Sequence, residues 1–374
     1  MKTIAIFSSG TGGHVYPANS LAQEYLAKNF RVIWIGTKHG IENKIIDKNK
    51  IDLLHIKSIG YRGKKIIEKI QSLLYLLIAF TQVFNLMRKN KPSLVIGFGG
   101  YVSLPGIIIA FLLRIPRVIH EQNAIAGTAN RICYYFANTV FETFPGSFRK
   151  FNSKIIHSGS IVRTELSNCT KPDDVYTSNS FFLRILVLGG SQGSVYFNSI
   201  LPFALSHFSR DRFEVKHICG EGKLADTEKK YHDYDIKSSV LEYSDKISNL
   251  FDWSTLVICR SGSTTLSELS MIGRACILIP YPFASDDHQY KNAQYLSNNS
   301  AAITLKQDDN FIENFVTTIN LLLNNESRLH SLAQNIKTVL PYNGKEIIIK
   351  INSQYLDCLL YTSDAADRRP LCRS

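Results

Sequence analysis

The amino-acid sequence predicts an α/β protein built from two doubly wound domains. A short β-branched and apolar strand at Thr3–Phe7 is followed by a Gly-rich loop and a helix with apolar spacing, as at the start of such a sheet. The same order of strand, Gly loop and helix begins again at Leu183–Leu188. A chain of 374 residues is too long for one ordinary core and suits two domains. We therefore predict domains at residues 1–160 and 161–340.

Residues 256–268 (LVICRSGSTTLSE) predict a buried strand that leads directly into a helix. The apolar run stops at Cys259, and Arg260, several hydroxyl groups and backbone N–H groups follow where the helix would begin. The start of a helix carries about half a positive charge, so this junction suits a diphosphate. Glu268 follows where a carboxylate could reach ribose hydroxyls. A helix capped by its own Ser and Thr residues would also explain the hydroxyl groups.

Composition indicates a folded protein in a reducing compartment. Hydrophobic residues make up 45% and charged residues 20% of the chain, which is typical of globular proteins. The seven cysteines form no CxxC pair and no zinc-finger spacing, so we expect reduced, structural thiols in a cytoplasmic protein. The first residues run directly into the Gly loop without a cleavage site, so no signal peptide is expected.

Positive charge is concentrated in the first part of the chain. Residues 1–150 hold 20 Lys or Arg and 7 Asp or Glu, a net charge of +13, whereas the remaining residues hold 23 and 24, a net charge of −1. This asymmetry predicts an anionic partner for the first domain, either nucleic acid or a membrane surface. No nucleic-acid-binding motif is present, so the sequence favours an anionic membrane surface and no nucleic acid.

Residues 72–87 (SLLYLLIAFTQVFNLM) form a strongly apolar segment between basic residues. The uninterrupted apolar run at 73–80 has eight residues, too few to span a bilayer. A helix buried against the sheet and a helix with one apolar face among anionic headgroups both fit this pattern, and the sequence leaves the choice open. The flanking basic residues are Arg62, Lys64, Lys65 and Lys69 before the segment and Arg88, Lys89 and Lys91 after it.

Two Gly-rich loops and one polar cluster follow strands of the first domain. Residues 10–13 (GTGG) and 97–106 (GFGGYVSLPG) would let the backbone approach a ligand closely. His14 follows the first loop at a strand's carboxyl end, where ligands bind in open α/β sheets, although a lone histidine there is more often structural. Residues 120–131 (HEQNAIAGTANR) form a polar cluster after another strand, and a surface turn would also hold such residues.

Six motifs occur together in the order found in one enzyme family. They resemble the MurG family, the bacterial UDP-N-acetylglucosamine transferases of peptidoglycan synthesis in glycosyltransferase family 28. The resemblance covers about residues 1–350 and implies the GT-B fold, in which two Rossmann-like doubly wound domains face each other across a cleft. The motifs are 10–17 (GTGGHVYP), 97–106, 120–127 (HEQNAIAG), 162–164 (VRT), 189–193 (GGSQG) and 259–268 (CRSGSTTLSE).

The resemblance implies an inverting, UDP-N-acetylglucosamine-dependent hexosyltransferase. It would move N-acetylglucosamine to the C4 hydroxyl of N-acetylmuramic acid in lipid I, an undecaprenyl-diphosphate-linked acceptor, and so form lipid II. The implied processes are peptidoglycan synthesis, cell-wall biogenesis, cell shape, cell division and the cell cycle. The implied location is the cytoplasmic face of the bacterial inner membrane, where the protein would be peripheral.

The resemblance and the chemistry of the residues together assign a candidate site. Histidine suits a general base near neutral pH, so His14 is the predicted base, with Glu121 behind it. The acceptor is expected against Gly99, Gly100, Tyr101 and Asn130. The donor is expected against Thr11, Gly12, Gly13, Asn123, Arg163, Ser191, Ser244, Arg260, Ser263, Thr264, Thr265, Leu266, Ser267, Glu268, His288 and Gln289.

The chain departs from the family pattern at several of these positions. His288 stands where a second glutamine is frequent, and Ser244 stands where an apolar residue is usual, so we expect only a backbone contact at Ser244. Residues 159–161 (GSI) precede Arg163 where the family usually has Gly-Asn-Pro. This last change puts in question the rigidity of the turn, while Arg163 itself is kept.

No cofactor or metal is expected, because donors fixed at the start of a helix can stabilise the leaving diphosphate. Asp233 and Asp235 have the spacing of a metal-binding DxD pair, but the charged segment around them indicates a solvated surface. Residues 341–357 are predicted to form a helix that, in the family, returns to the first domain. Residues 358–374 (CLLYTSDAADRRPLCRS) resemble translated adapter sequence, so we expect an artefact there.

Two other functions stay open. One is a transferase of the same fold acting on another lipid, such as a diacylglycerol galactosyltransferase. The other is a non-catalytic nucleotide-sugar-binding subunit that works with a membrane partner. A Rossmann oxidoreductase is disfavoured, since neither half has a full GxGxxG with its ribose-binding acid about 20 residues later.

Overall fold

Two α/β units make up the chain, and each is organised around one parallel sheet. The structure is a computed structural model that describes residues 1–58, 66–149, 152–176, 182–190 and 192–361. The first unit contains residues 1–122, 126–161 and the chain from residue 343, and the second contains 123–125 and 162–342. The predicted basic residues Arg62, Lys64 and Lys65, the predicted donor residue Ser191 and residues 362–374 of the tail lie outside the described residues.

The sheet of the first unit consists of β1 (Thr3–Phe7), β2 (Arg31–Gly36), β3 (Asp52–His55), β4 (Leu94–Gly97), β5 (Arg117–Glu121), β6 (Thr139–Glu142) and β7 (Ile155–His157). Over the described ranges these seven strands are parallel, in the order β3-β2-β1-β4-β5-β6-β7. Every residue of β1 and β4 is buried, which explains their continuous apolar sequences. The strand order reverses between β1 and β4, and this switch point is where ligands bind in such sheets.

The helices of this sheet are α1 (Gly12–Ala27), α2 (Glu42–Ile45), α3 (Ile66–Asn90), α4 (Gly100–Leu112) and α5 (Thr128–Cys133). α3 contains the apolar segment whose role the sequence left open. Ala79, Val83 and Met87 are buried at a spacing of four residues and belong to the core, whereas the side chains of Leu77 and Ile78 are 58% and 40% exposed. One face of α3 therefore belongs to the core, and another carries apolar side chains at the surface.

The second unit repeats the same plan. Its strands are β8 (Leu183–Leu188), β9 (Phe213–Ile218), β10 (Ser238–Leu241), β11 (Leu256–Cys259), β12 (Ala275–Leu278) and β13 (Ile303–Thr304). In the described part of this unit they form a parallel sheet in the order β10-β9-β8-β11-β12-β13, with its switch point between β8 and β11. Two doubly wound sheets are thus present, as the sequence predicted.

The helices of the second unit are α6 (Pro172–Val175), α7 (Val195–Leu205), α8 (Leu224–Asp233), α9 (Ile247–Trp253), α10 (Ser263–Ile272), α11 (His288–Asn298), α12 (Phe311–Leu323) and α13 (Glu326–Val339). The ladder with β9 pairs Ser238 to Leu241, so the predicted donor residue Ser244 follows β10. α12 and α13 are separate helices, because the Asn325 side chain accepts from the Arg328 N–H at 3.1 Å and caps α13.

The last described helix, α14 (Gly344–Tyr361), packs on the first unit. Its first residue donates from the backbone N–H of Gly344 to Ser160 O at 3.0 Å. Farther along, Asn352 Nδ2 donates to the Tyr25 hydroxyl of α1 at 2.9 Å. None of the helices in the described ranges combines the length and apolarity needed to cross a bilayer.

Packing of α4 on β1 predicts an unusual response to a glycine substitution. A Cβ atom on Gly106 would lie 2.7 Å from ring carbons of the buried Phe7. Although Gly to Ala inside a helix normally stabilises a protein by up to about 1 kcal/mol, we expect Gly106→Ala to lower the free energy of unfolding by about 1–3 kcal/mol through overpacking. Urea unfolding monitored by circular dichroism measures this change, and a stabilised variant would contradict the packing.

Candidate active site

His14 lies at the carboxyl end of β1, in the first turn of α1. The chain turns at Gly10, whose φ is 100°, and Thr11 is the N-cap of the helix that begins at Gly12. The backbone N–H of His14 donates to Thr11 O at 3.1 Å, which fixes the start of the helix. The partly buried His14 ring is therefore held beside the switch point of the first sheet.

A chain of three polar side chains runs from His14 into the core of the first unit. His14 Nδ1 lies 2.9 Å from Gln122 Oε1. Gln122 Nε2 lies 3.0 Å from His120 Nδ1 and 3.2 Å from His120 O. His120 is 1% exposed, and burial lowers the pKa of its imidazole to about 3. Sequence analysis included Gln122 in the polar cluster but assigned it no role.

Glu121 has different partners. It ends β5 together with His120, and both side chains are buried, so the interpretation of these two residues as part of a surface turn is wrong. Glu121 Oε2 accepts from the Gly127 N–H at 3.0 Å and from Asn130 Nδ2 at 2.9 Å. Asn130 Nδ2 also lies 3.0 Å from His120 O. Glu121 thus fixes the loop after β5 and the start of α5.

The second Gly loop approaches His14 closely. Gly99 and Gly100 have φ values of 87° and 71°, which side-chain-bearing residues rarely adopt. A Cβ atom on Gly99 would lie 3.2 Å from His14 Cε1 and 3.3 Å from Asn130 Nδ2. Tyr101 follows in α4, is 39% exposed, and has its pKa raised by burial. Among the predicted acceptor residues, Gly99 and Asn130 are therefore neighbours of His14.

In the second unit, β11 ends at Cys259 and α10 starts at Ser263, as the strand-to-helix prediction requires. The N-cap of α10 is Gly262, which has no side chain to cap the helix. The Ser267 hydroxyl donates to Ser263 O at 2.8 Å. The N-cap position itself therefore supplies no hydroxyl group, and the first backbone N–H groups of the helix have no partner in its ladder of hydrogen bonds.

Arg260 has a structural environment that the sequence did not predict. Its guanidinium lies 4.3 Å from the ring centroid of Phe197. One Nη atom is 3.0 Å from Ile279 O and 3.2 Å from Pro280 O, and the other is 3.1 Å from Ser194 Oγ. Burial lowers the pKa of Arg260 to about 10. Arg260 therefore joins the residues after β12 to the N-cap of α7.

Glu268, the predicted ribose ligand, is paired with Arg163. Arg163 Nε donates to Glu268 Oε1 at 2.9 Å, and Arg163 Nη2 contacts the same oxygen. The Glu268 side chain is only 7% exposed, and burial raises the pKa of its carboxyl while Arg163 opposes that shift. The structure thus brings these two predicted donor residues together, although 105 positions separate them in sequence.

Of the remaining predicted donor residues, Ser244 lies on a loop and His288 and Gln289 lie at the start of α11, all in the second unit, whereas Thr11, Gly12 and Gly13 lie at the start of α1 in the first unit. The backbone N–H of Tyr281 donates to Gln289 Oε1 at 3.0 Å, and His288 Nδ1 lies 2.7 Å from Ser285 O. Ser244 is partly buried, and its hydroxyl oxygen accepts from the Lys246 N–H at 3.2 Å. No contact in the described residues joins Ser244 to Gln289 or His288 directly.

Asn292 is a buried residue on α11, the helix that also carries the predicted donor residues His288 and Gln289. Its Oδ1 accepts from the Ala124 N–H at 2.7 Å, and its Nδ2 donates to Asn123 Oδ1 at 3.1 Å and Ser261 O at 3.0 Å. These bonds tie Asn123 to the residues before α10, all within the second unit. The sequence spacing could have indicated its position, since Asn292 lies one helical turn after His288 on α11.

The predicted surface character of the DxD residues agrees with their positions. Asp233 ends α8 and Asp235 follows it with a φ of 51°, and both are exposed. Across the ranges that the structure describes, no three His, Cys, Asp or Glu side chains are grouped so that they could hold a metal ion.

Two doubly wound parallel sheets with polar groups at their switch points define a protein of the two-domain Rossmann-like class. Residues 4–142 match the glycosyltransferase family 28 N-terminal domain, and residues 184–345 match the glycosyltransferase family 28 C-terminal domain. The chain belongs to glycosyltransferase family 28.

Similar proteins agree with this assignment. The chain is 36% identical over 349 residues to the UDP-N-acetylglucosamine--N-acetylmuramyl-(pentapeptide) pyrophosphoryl-undecaprenol N-acetylglucosamine transferase of Pseudomonas syringae pv. syringae, covering 93% of this chain and 97% of that protein. It is 38% identical over 333 residues to the transferase of the same name from Pseudomonas entomophila, covering 89% and 92%. The crystal structure of MurG from Acinetobacter baumannii has a TM-score of 0.82 and 31% identity, covering 95% of this chain and all of that chain (100%). The predicted family, GT-B fold class and glycosyltransferase activity are confirmed.

The close approach of Gly99 to His14 predicts a specific effect of Gly99→Ala. Both Gly99 and Gly146 have positive φ, 87° and 80°, but a Cβ atom on Gly146 would meet nothing within 4 Å. We expect each alanine variant to lose about 1 kcal/mol of stability through backbone strain. Only Gly99→Ala should also lower kcat, by about tenfold or more, because it displaces the His14 ring. Parallel unfolding and turnover measurements test this, and equal kcat values in the two variants would contradict it.

Proposed function

We propose that this chain transfers N-acetylglucosamine from UDP-N-acetylglucosamine to the C4 hydroxyl of N-acetylmuramic acid in lipid I, giving lipid II and UDP. The observation that carries the proposal is the 36% identity, along 93% of the chain, with a relative named for this activity. The chain would then serve peptidoglycan synthesis, and through it cell-wall biogenesis, cell shape and cell division.

The proposed reaction inverts the anomeric carbon in one displacement. The acceptor oxygen forms a bond to that carbon while the bond from the carbon to the diphosphate oxygen breaks, and the electron pair leaves with UDP. The hydroxyl proton passes to His14. This role is supported by the position of His14 at the switch point and by the bond of its Nδ1 to Gln122, which leaves Nε2 for the acceptor.

The donor is proposed to bind mainly the second unit (residues 123–125 and 162–342), with Thr11, Gly12 and Gly13 at the start of α1 also assigned to it, while the acceptor binds the first unit. The first N–H groups of α10 suit the diphosphate, since the N-cap residue is a glycine and developing negative charge is stabilised at a helix start. This source of positive charge removes the need for a divalent metal. Arg163 occupies Glu268 Oε1, so the other carboxylate oxygen is assigned to the ribose hydroxyls.

We place the protein peripherally on the cytoplasmic face of the inner membrane. Apolar side chains of α3 and α4 support this location because they are exposed beside basic residues. Burying such side chains among acyl chains while the cations contact anionic headgroups would hold the first unit near its lipid acceptor. The exposed apolar residues are Leu77 (58%), Ile78 (40%), Phe111 (44%) and Leu112 (64%), and the exposed basic residues are Arg88, Lys89 and Arg114.

A transfer assay with radiolabelled sugar nucleotides tests the proposed reaction. Purified protein should transfer N-acetylglucosamine from UDP-N-acetylglucosamine to a short-chain lipid I analogue without an added protein. Preferential transfer from UDP-galactose to diacylglycerol would instead support the galactosyltransferase alternative. Absence of transfer by the purified chain to either acceptor would support a non-catalytic subunit.

Replacing the proposed base should affect turnover more than donor binding. We expect His14→Ala to lower kcat by roughly a hundredfold or more, because the acceptor hydroxyl loses its proton acceptor. The KM for UDP-N-acetylglucosamine should stay within about twofold, since the donor is assigned mainly to the other unit. Steady-state kinetics at saturating acceptor measure both parameters. Nearly normal turnover would remove His14 from the base role.

Replacing the proposed ribose ligand should have the opposite kinetic signature. We expect Glu268→Ala to raise the KM for UDP-N-acetylglucosamine by about 5- to 150-fold, which corresponds to about 1–3 kcal/mol of lost hydrogen bonding. Glu228 is an exposed carboxylate on α8 of the same unit and has no assigned role. Glu228→Ala is therefore the control, with an unchanged KM. Equal KM values for the two variants would contradict the assignment of Glu268.

A further inference from the structure

The donors and acceptors in the hydrogen bonds between His14 and the core of the first unit can be assigned in only one consistent way. A peptide carbonyl oxygen accepts but never donates, so the Gln122 atom 3.2 Å from His120 O must be the amide nitrogen. The amide oxygen of Gln122 then faces His14 Nδ1 at 2.9 Å. Because that oxygen only accepts, His14 Nδ1 must carry a proton. In the neutral ring, His14 Nε2 is then unprotonated and presents a lone pair.

The contacts of His120 determine which atoms donate and which accept in the rest of this series of hydrogen bonds. The Gln122 amide nitrogen also lies 3.0 Å from His120 Nδ1, which must accept and is therefore unprotonated. The proton of His120 is then on Nε2, which faces the Thr143 hydroxyl at 3.4 Å, and that hydroxyl lies 3.4 Å from Gly159 O. His120 is 1% exposed, and burial lowers the pKa of its imidazole to about 3, so the ring is neutral near pH 7 and this arrangement is kept there.

We infer that Gln122 and His120 are positioning residues that hold His14 in the tautomer with a bare Nε2. This inference rests on the proposed role of His14 as the base. A histidine free in solution exchanges its proton between the two nitrogens, and a base with the wrong tautomer cannot take a proton at Nε2. The amide and the imidazole therefore act through His14 and need not touch either substrate.

Because Gln122, the partner of His14, is neutral, it also affects how activity depends on pH. An amide oxygen fixes the tautomer without the strong stabilisation of the imidazolium that a carboxylate would give. The titratable groups on the neighbouring elements are His120 and Glu121 on β5, Glu142 on β6 and Tyr101 on α4. Glu121 is engaged with Gly127 and Asn130, and Glu142 Oε1 accepts from the Gly146 N–H at 2.9 Å.

Two substitutions of Gln122 separate tautomer control from folding. Gln122→Met keeps the volume but removes the acceptor, and we expect kcat to fall by about tenfold with the KM for UDP-N-acetylglucosamine within about twofold. Gln122→Glu keeps the acceptor and adds charge, so the protonated ring is stabilised and the acid limb of the kcat profile should move to higher pH by about one unit. Gln23→Met, an exposed glutamine on α1, is the matched control.

His120 offers a rescue test of the same inference. His120→Leu removes the acceptor for the Gln122 amide, and kcat should fall as in Gln122→Met. His120→Asn returns an acceptor oxygen near the Nδ1 position and should restore most of the lost kcat. A purely structural role would lower the stability of both His120 variants without this difference in kcat.

The outcomes distinguish this inference from the proposed function. If His14→Ala retains turnover, the assignment of the base fails and the inference fails with it. If His14→Ala is inactive while Gln122→Met keeps full kcat and Gln122→Glu keeps the original pH profile, the base stands and the inference is overturned. If Gln122→Met does not fold, the pH profile of Gln122→Glu alone decides.

Discussion

One hydrogen bond, from His14 to the amide oxygen of Gln122, connects the fold of the first unit to its chemistry. Its direction is set by the carbonyl oxygen of His120, which forces the Gln122 amide into one orientation. That carbonyl is fixed because β5 is an inner strand of a parallel sheet, with neighbours on both sides. The glycine at position 99 lets the second loop approach the same ring. The order of strands in the sheet and the glycine of the second loop thus together determine the position of the proton on His14.

The second unit uses the same topology for a different purpose. Its switch point presents the start of α10, where backbone N–H groups favour anions, rather than a titratable ring. Two arginines beside it have different partners. Arg163 is paired with the buried Glu268, and Arg260 is bonded to backbone carbonyl groups and Ser194. In the proposed reaction, the duplicated fold therefore supplies a proton acceptor from one unit and a binding site for the leaving diphosphate from the other.

Sequence reasoning succeeded where the signal is local. Apolar runs with a glycine within three residues of their end identified β1, β4, β8 and β11, because inner strands of parallel sheets are buried on both faces. It failed where tertiary contacts decide. His120 and Glu121 are polar, yet they continue β5, because Asn130, Gln122 and Gly127 satisfy them inside the fold. β10 (Ser238–Leu241) is an edge strand. Its two serines are part of the strand because they pair with β9, and no hydrophobic pattern marks them.

The most direct test of this account is the position of the proton on His14. Nitrogen-15 NMR of the histidine-labelled protein, with the His14 signals assigned by their loss in His14→Ala, distinguishes a protonated ring nitrogen from a bare one. At a pH where the ring is neutral, the account predicts a protonated Nδ1 and an unprotonated Nε2. A proton on Nε2, or equal populations of the two tautomers, would contradict it.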